Sequence, residues 1–134
     1  MIAGGQSLEK FPVHLGLGAA ALAQPEFTGA MEWYMDYARR TAGDGAEGRL
    51  VGMHCFTEDW TSWEMHPAGA EVVLCVSGAM TVIQELADSS TVQTRLGAGD
   101  YAINAPGVWH TADIADHATA VFITAGMGTE HRPR

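Results

Sequence analysis

The chain of 134 residues is long enough for one compact domain, and a composition of 47% hydrophobic and 17% charged residues is typical of a globular protein. Seven Lys and Arg residues against sixteen Asp and Glu residues give a net charge of −9, which argues against nucleic acid and anionic membranes as partners because both would be repelled. The two cysteines, Cys55 and Cys75, are too few for a disulfide framework. Each lies in an apolar run, so we expect both to be reduced core residues.

An N-terminal arm over residues 1–26 is expected to contain one strand. Val13, Leu15 and Leu17 alternate with polar residues and glycines, which predicts an edge strand or a swapped arm with these three residues on its buried face. The apolar stretch that contains them lacks the basic n-region of a signal peptide, and no run reaches the ~20 apolar residues of a membrane span. The sequence therefore predicts a cytoplasmic protein.

Residues 27–42 are predicted to form the one helix. Apolar side chains recur there at helical spacing, Thr28 is the expected N-cap, and Arg39 and Arg40 lie near the C-terminal end.

A β-barrel core is expected over residues 49–125, followed by a solvated tail over 126–134. Short runs of β type succeed one another at close intervals: Arg49–Phe56, Thr61–Met65, Glu71–Ser77, Ala79–Leu86, Thr91–Leu96, Tyr101–Asn104 and Ala118–Thr124. Parallel pairing would need crossover helices that this stretch lacks the residues to supply. The pattern therefore predicts an all-β sandwich or barrel with antiparallel pairing.

Four residues with metal-binding side chains lie at the ends of these predicted strands. Glu64 and His66 are two residues apart, so both side chains project from the same face of an extended strand. Glu71 follows a Pro-Gly turn, and His110 lies at a strand end about forty residues later. Two imidazoles with one or two carboxylates suit zinc, iron, manganese or nickel, whereas calcium prefers oxygen ligands throughout.

The spacing of these residues resembles the two motifs of the cupin superfamily. The first motif is present as Glu64-x-His66-x4-Glu71-x6-Gly78 and the second as Gly99-x5-Ala105-x-Gly107-x2-His110. The resemblance implies a double-stranded β-helix, or jelly-roll barrel, with one divalent transition metal per chain held at its mouth. His66, Glu71 and His110 match ligand positions of the family, and the resemblance also implies a homodimer.

Three positions depart from the family pattern. Glu64 replaces the first histidine, Ala105 replaces a proline, and Ile114 stands where an asparagine is usual. If Glu64 is a metal ligand, two carboxylates cancel the divalent charge and favour neutral polyols or carbonyl compounds as substrates. If it is not, it is a catalytic base beside a metal-bound substrate, or a bystander in a surface ion pair.

His54, Trp60 and Trp109 are the candidate substrate-binding residues. They flank the motifs and could line a pocket, although aromatic residues in small barrels also serve as core or interface residues, and a lone histidine on a strand is often structural.

We therefore expect one metal-binding cupin domain over residues 1–134 that acts on a small oxygenated metabolite. Isomerase or lyase chemistry and ring cleavage by a dioxygenase both remain open. The alternative is a non-catalytic cupin that binds a small ligand or acts as a sensor.

Overall fold

The computed structural model describes residues 4–134. This part of the chain contains ten strands, one α-helix and two short 3-10 helical segments, Leu17–Ala19 and Ala42–Glu47. The strands and the helix are, in chain order, β1 (Val13–Gly16), β2 (Ala20–Ala23), α1 (Met31–Arg40), β3 (Arg49–Phe56), β4 (Ser62–Met65), β5 (Glu71–Glu85), β6 (Thr91–Gly97), β7 (Tyr101–Asn104), β8 (His110–Asp113), β9 (Ala118–Thr124) and β10 (Glu130–Pro133).

The strands form two sheets that share the long strand β5. Its first half pairs with β7 and β9, in a sheet with the order β2-β1-β3-β9-β5-β7. Its second half pairs with β6 and β8, in a sheet with the order β10-β4-β8-β5-β6. Every pair is antiparallel, which confirms the predicted all-β class and its pairing. The predicted strands over β3, β7 and β9 have the observed bounds.

One strand spans residues 71–85, where the sequence predicts two. The pairing with β9 shifts between Cys75 and Ser77, and Gly78 follows with a φ of +72°. A Cβ on Gly78 would lie 2.1 Å from the carbonyl oxygen of His117, so only glycine fits this bend. The glycine therefore marks where β5 passes from one sheet to the other and does not end the strand.

The core lies between the two sheets and draws buried residues from both. Phe56, Trp60 and Ala102 pack against it. Its members are Val73, Cys75, Met80, Val82, Leu96, Ala112, Ile114, Ala118, Ala120 and Phe122. Ile114, at the position where the motif would carry an asparagine, is thus a core residue.

Strand β1 is present, but the prediction of its buried face is wrong. Leu15 and Leu17 are 37% and 54% exposed, whereas His14 is 1% exposed. Tyr37 Oη and Asp44 Oδ2 each lie 2.6 Å from one ring nitrogen of His14. The imidazole can be buried because both of its nitrogens have hydrogen-bond partners. The inward face of β1 therefore carries a hydrogen-bonded histidine. The strand pairs with β2 and β3 of its own chain.

Helix α1 begins three residues after the predicted cap. Its N-cap is Ala30, and the hydroxyl of Thr28 accepts a hydrogen bond of 3.2 Å from the Ala30 N–H. Thr28 therefore stabilises the turn before the helix.

The prediction for the cysteines is half correct. Cys75 is buried in the core as expected, but Cys55 is exposed. The side chains of a strand alternate between faces, and Cys55 lies on the outer face of β3, where its sulfur contacts the Thr119 hydroxyl at 3.3 Å.

The segment predicted as a solvated tail contains β10, which pairs with β4. Strands β2 and β8 are likewise absent from the sequence prediction. Within residues 4–134, no helix is long and apolar enough to cross a membrane.

Candidate metal centre

Three strands bring the four predicted metal ligands together at one end of the barrel. Glu64 lies near the end of β4, directly opposite His110 at the start of β8, and His66 follows β4. Glu71 opens β5. One ligand atom from each of the four side chains can be chosen so that all lie within 4.8 Å of one another.

The distances within this cluster are those of groups that surround one ion. The Nε2 atoms of His66 and His110 lie 3.1 and 3.2 Å from the two oxygens of Glu71. Glu64 Oε2 is 3.6 Å from Nε2 of His66 and 3.9 Å from Nε2 of His110. A tetrahedral centre with zinc-type bonds separates its ligand atoms by roughly 3.3 Å, so these groups would have to draw closer together around an ion.

The two Nε2 atoms have no hydrogen-bond partner within residues 4–134, although both are buried. The Glu71 oxygens lie close to them but away from the direction of a hydrogen bond. The other ring nitrogen of each histidine is occupied: Nδ1 of His110 contacts the Val108 carbonyl at 3.2 Å, and Nδ1 of His66 contacts the Thr129 hydroxyl at 2.8 Å. Metal-binding histidines use one nitrogen for the ion and the other for an outer partner, which is the arrangement here.

Glu71 is held from outside the cluster by two further donors. Asn104 Nδ2 donates to Oε1 at 3.1 Å, and the Thr124 hydroxyl donates to Oε2 at 2.6 Å. Gln84 in turn donates to Asn104 Oδ1 at 2.7 Å. Each carboxylate oxygen therefore has one outer partner and one imidazole beside it, which fixes the orientation of the group.

The cluster is strongly coupled in the metal-free protein. Burial alone would lower the pKa of His66, but the carboxylates of Glu64 and Glu71 outweigh burial and raise that pKa to about 9. Burial would raise the pKa of Glu71, but His110 and His66 beside it hold that pKa well below its usual range. The same balance lowers the pKa of Glu64. Two carboxylates thus attract a proton to His66, and a divalent cation at the same point would replace that proton.

Glu64 lies on the open side of the cluster. Its side chain is 29% exposed, against 3% for Glu71, and its Oε1 atom lies 3.4 Å from Nε2 of His131 on β10. The sequence prediction assigned no role to Thr129 or His131. The only feature of the sequence that could have indicated these residues is a histidine within a polar segment. Both residues lie near the cluster because β10 pairs with β4, and the sequence did not predict β10.

Solved structures with similar folds come from several kinds of protein. A Klebsiella pneumoniae protein with a double-stranded β-helix domain is 23% identical, with a TM-score of 0.53 over 64% of this chain and 76% of that one. An oxalate oxidase in complex with the substrate analogue glycolate is 14% identical, with a TM-score of 0.54 over 61% of this chain and 45% of that one. Peruvianin-I, a cysteine peptidase from Thevetia peruviana latex, is 18% identical, with a TM-score of 0.52 over 61% of this chain and 54% of that one.

The chain has the double-stranded β-helix fold, which the resemblance of its sequence motifs implied. It spans about half the length of peruvianin-I and less than half of oxalate oxidase. By sequence, no protein-family model and no curated protein matches it.

Trp60, one of the predicted substrate-binding residues, lies beside the cluster. Its ring centroid is 6.4 Å from that of His110, and its indole Nε1 is buried without a hydrogen-bond partner within the described residues. The Trp109 ring instead lies against the guanidinium of Arg132, at 4.5 Å, and the same guanidinium covers Trp63 at 5.2 Å.

His54 lies in an aromatic cluster of the barrel. Its ring centroid is 5.1 Å from Phe27 and 5.7 Å from Phe122, and burial lowers its pKa. It also lines a cleft of about 440 Å³ between the N-terminal arm and β3. The other lining residues are Ser7, Glu9, Lys10, Phe27 and Cys55, so this cleft is distinct from the metal-ligand cluster.

Proposed function

We propose that this cupin binds one divalent transition metal through Glu64, His66, Glu71 and His110 and acts as an enzyme on a small oxygenated metabolite. One observation carries the proposal: two buried imidazole Nε2 atoms face carboxylate oxygens at 3.1 and 3.2 Å without forming hydrogen bonds. Buried polar atoms without partners are costly, and a cation coordinated by all four groups would remove that cost.

The donor set favours zinc, iron, manganese or nickel. Imidazole nitrogen suits these ions, whereas calcium and magnesium favour oxygen donors. Two carboxylates and two neutral imidazoles balance the charge of a divalent cation, so the centre would attract anions weakly. Neutral polyols and carbonyl compounds are therefore the substrate class that we propose.

In this proposal a bound metal supplies Lewis acidity to a substrate carbonyl or hydroxyl oxygen. His66, Glu71 and His110 are the inner ligands. Glu64 lies on the open side and is the most exposed carboxylate of the set, so as an alternative to binding the ion it can take a proton from substrate carbon or oxygen. Proton transfer of this kind fits an isomerase or a lyase, and oxygen-dependent ring cleavage is the reaction to test if the metal is iron.

The substrate would lie beside Trp60, whose free indole N–H offers a donor to a substrate oxygen. His54 and Trp109 are the other proposed substrate-binding residues. The fold is shared with an oxalate oxidase in complex with the substrate analogue glycolate. The same fold in a cysteine peptidase shows that architecture alone does not decide the reaction.

Metal content tests the proposal. Elemental analysis of tag-free wild-type protein is compared with His66→Ala and with His117→Ala, a control that removes a histidine far more exposed than the cluster histidines. We expect one transition metal per chain in wild type and His117→Ala, and loss of the metal in His66→Ala. Wild-type protein that holds no metal, even after reconstitution, would overturn the proposal.

The reaction is then sought with metal-loaded and metal-stripped protein on a panel of carbonyl compounds and polyols. We expect turnover that depends on the metal. A loaded protein that binds panel members without converting any of them would instead be a non-catalytic ligand-binding cupin.

A further inference from the structure

The C-terminal residues 126–134, here called the C-terminal strap, contact the metal-ligand cluster at two points. The first contact is between Thr129 and His66, and the second is between His131 and Glu64. Both contacts reach ligand atoms or rings from outside the cluster, so the strap can act on the centre without supplying any of the four ligands.

The Thr129 hydroxyl lies against Nδ1 of His66. This hydroxyl donates to the carbonyl oxygen of Gly126 at 2.9 Å, so the hydroxyl oxygen is an acceptor toward Nδ1 of His66 at 2.8 Å. A neutral His66 ring is therefore protonated on Nδ1. Its Nε2 lone pair then points into the cluster, as a metal ligand requires.

His131 acts on Glu64 in a comparable way. Its Nε2 lies 3.4 Å from Oε1 of Glu64, whereas Oε2 of the same carboxylate faces His66 and His110. His131 therefore lies beside one oxygen of Glu64, and the other oxygen faces the cluster.

The strap is itself fixed by contacts that do not involve the cluster. The guanidinium of Arg132 lies between the rings of Trp63 and Trp109 and pairs with Glu85. Arg134 donates to the Trp60 carbonyl at 3.0 Å. These anchors give Thr129 and His131 a defined position relative to the ligands.

We propose that the C-terminal strap is a positioning device, in which Thr129 sets the metal-binding tautomer of His66 and His131 holds Glu64 in a one-oxygen orientation. The inference rests on the metal-binding function proposed above and extends it to a segment outside the ligand set. Removal of such outer partners weakens metal binding by about 10–100-fold in characterised sites.

The first test measures the dissociation constant for Zn²⁺ by chelator competition. We expect Thr129→Val to bind Zn²⁺ about 10–100-fold more weakly than wild type. Thr129→Ser keeps the hydroxyl and should restore most of the affinity, and Thr91→Val, on the exposed strand β6, should bind as wild type does. Thermal unfolding of the metal-free variants checks that each one folds. Equal affinity in wild type and Thr129→Val, or equal losses in the Val and Ser variants, would overturn the role of Thr129.

The second test requires no metal. Long-range ¹H–¹⁵N NMR at pH 10 reports the tautomer of His66 in the metal-free protein. We expect the Nδ1–H form in wild type and a loss of that preference in Thr129→Val, because the substitution removes the acceptor of the Nδ1 proton. If wild-type protein binds no Zn²⁺, the proposed function fails while this spectrum still decides the role of Thr129; an unchanged tautomer would overturn it.

A double-mutant cycle tests His131. His131→Ala should weaken Zn²⁺ binding, His131→Gln should recover part of the loss, and adding His131→Ala to Glu64→Gln should cost little more than Glu64→Gln alone. Fully additive losses would show that His131 does not act through Glu64.

Discussion

At the scale of single residues, Glu64 differs from the other three proposed ligands. Its carboxylate is partly exposed and lies at the longest distances from the imidazoles, 3.6 and 3.9 Å, whereas Glu71 is buried and held by Asn104 and Thr124. A carboxylate in this position can move without disturbing the core. Substitutions of Glu64 can therefore show whether metal binding and catalysis depend on the same side chain.

Replacing Glu64 by Gln keeps the shape of the side chain and removes its charge. We expect Glu64→Gln to weaken metal retention or to abolish turnover, because the substitution removes either a ligand or the proton acceptor. Metal content and turnover are measured on the same preparation. Unchanged metal content together with unchanged turnover would show that Glu64 contributes to neither metal binding nor catalysis.

The raised pKa of His66 predicts opposite effects of pH on metal affinity and metal-free stability. Metal binding must displace the proton from His66, so affinity for Zn²⁺ should rise by about tenfold per pH unit up to the pKa of about 9. Pairing of protonated His66 with Glu64 and Glu71 stabilises the metal-free fold below the ordinary pKa of 6.5, and this contribution is lost as pH rises through about 9. Chelator competition and urea unfolding across pH 6–10 measure the two quantities. An affinity that does not depend on pH would contradict this description of the cluster.

At the scale of secondary-structure elements, His14 joins three N-terminal segments. Its ring lies on β1, and its two nitrogens contact Tyr37 of α1 and Asp44 of the 3-10 segment Ala42–Glu47, each at 2.6 Å. Gly16 and Gly48 leave room for the ring and for Asp44, since an added Cβ at either position would lie within 3 Å of one of these side chains. The helix is thus connected to the barrel by a buried polar contact as well as by apolar packing.

Tyr37→Phe tests this connection. Removal of the hydroxyl leaves Nδ1 of a buried histidine without its partner, and we expect a loss of about 1–3 kcal/mol in the free energy of unfolding. The matched control is Tyr101→Phe, at a residue that is 63% exposed, where we expect a change within about 0.5 kcal/mol. Urea denaturation measures both variants; equal stabilities would show that the hydroxyl contributes nothing.

The elements predicted correctly from sequence are those whose pattern is local. The strands over residues 49–56, 101–104 and 118–124 have β-type composition between clear turns, and their bounds agree with the structure. Strand β10 was missed because its residues, Glu-His-Arg-Pro, have no apolar alternation. Pairing with β4 and the position of Arg132 between two tryptophans hold it in place, and neither contact can be read from the sequence of the segment.

The four-residue cluster was predictable because its residues follow a recognisable spacing at strand ends. Its outer partners were not predictable: Asn104, Thr124 and Thr129 reach the cluster only through sheet register and the strap. The orientation of β1 was likewise set by the partners of His14, which lie 23 and 30 residues away in sequence.

At the scale of the whole molecule, the N-terminal elements expose several large apolar side chains. Leu17, Leu22 and Met31 are 54%, 55% and 68% exposed, and β2 is the outer strand of its sheet within residues 4–134. A second copy of this chain is the partner that we expect on this face, because an open strand edge with exposed leucines favours association.

Sedimentation equilibrium tests the homodimer. We expect wild-type protein to be dimeric and Leu22→Asp to be monomeric at the same concentration. Leu86→Asp, at an exposed residue beyond the end of β5, is the control and should remain dimeric. A monomeric wild-type protein across the micromolar range would contradict the prediction.

The central claim is that four side chains at one end of the barrel hold a single metal ion. Anomalous diffraction from crystals of the metal-loaded protein, recorded on both sides of the metal absorption edge, tests it most directly. We predict one anomalous peak per chain, about 2.0–2.2 Å from the Nε2 atoms of His66 and His110 and from a Glu71 oxygen. A peak elsewhere on the chain, or no peak in protein loaded with stoichiometric metal, would contradict the account.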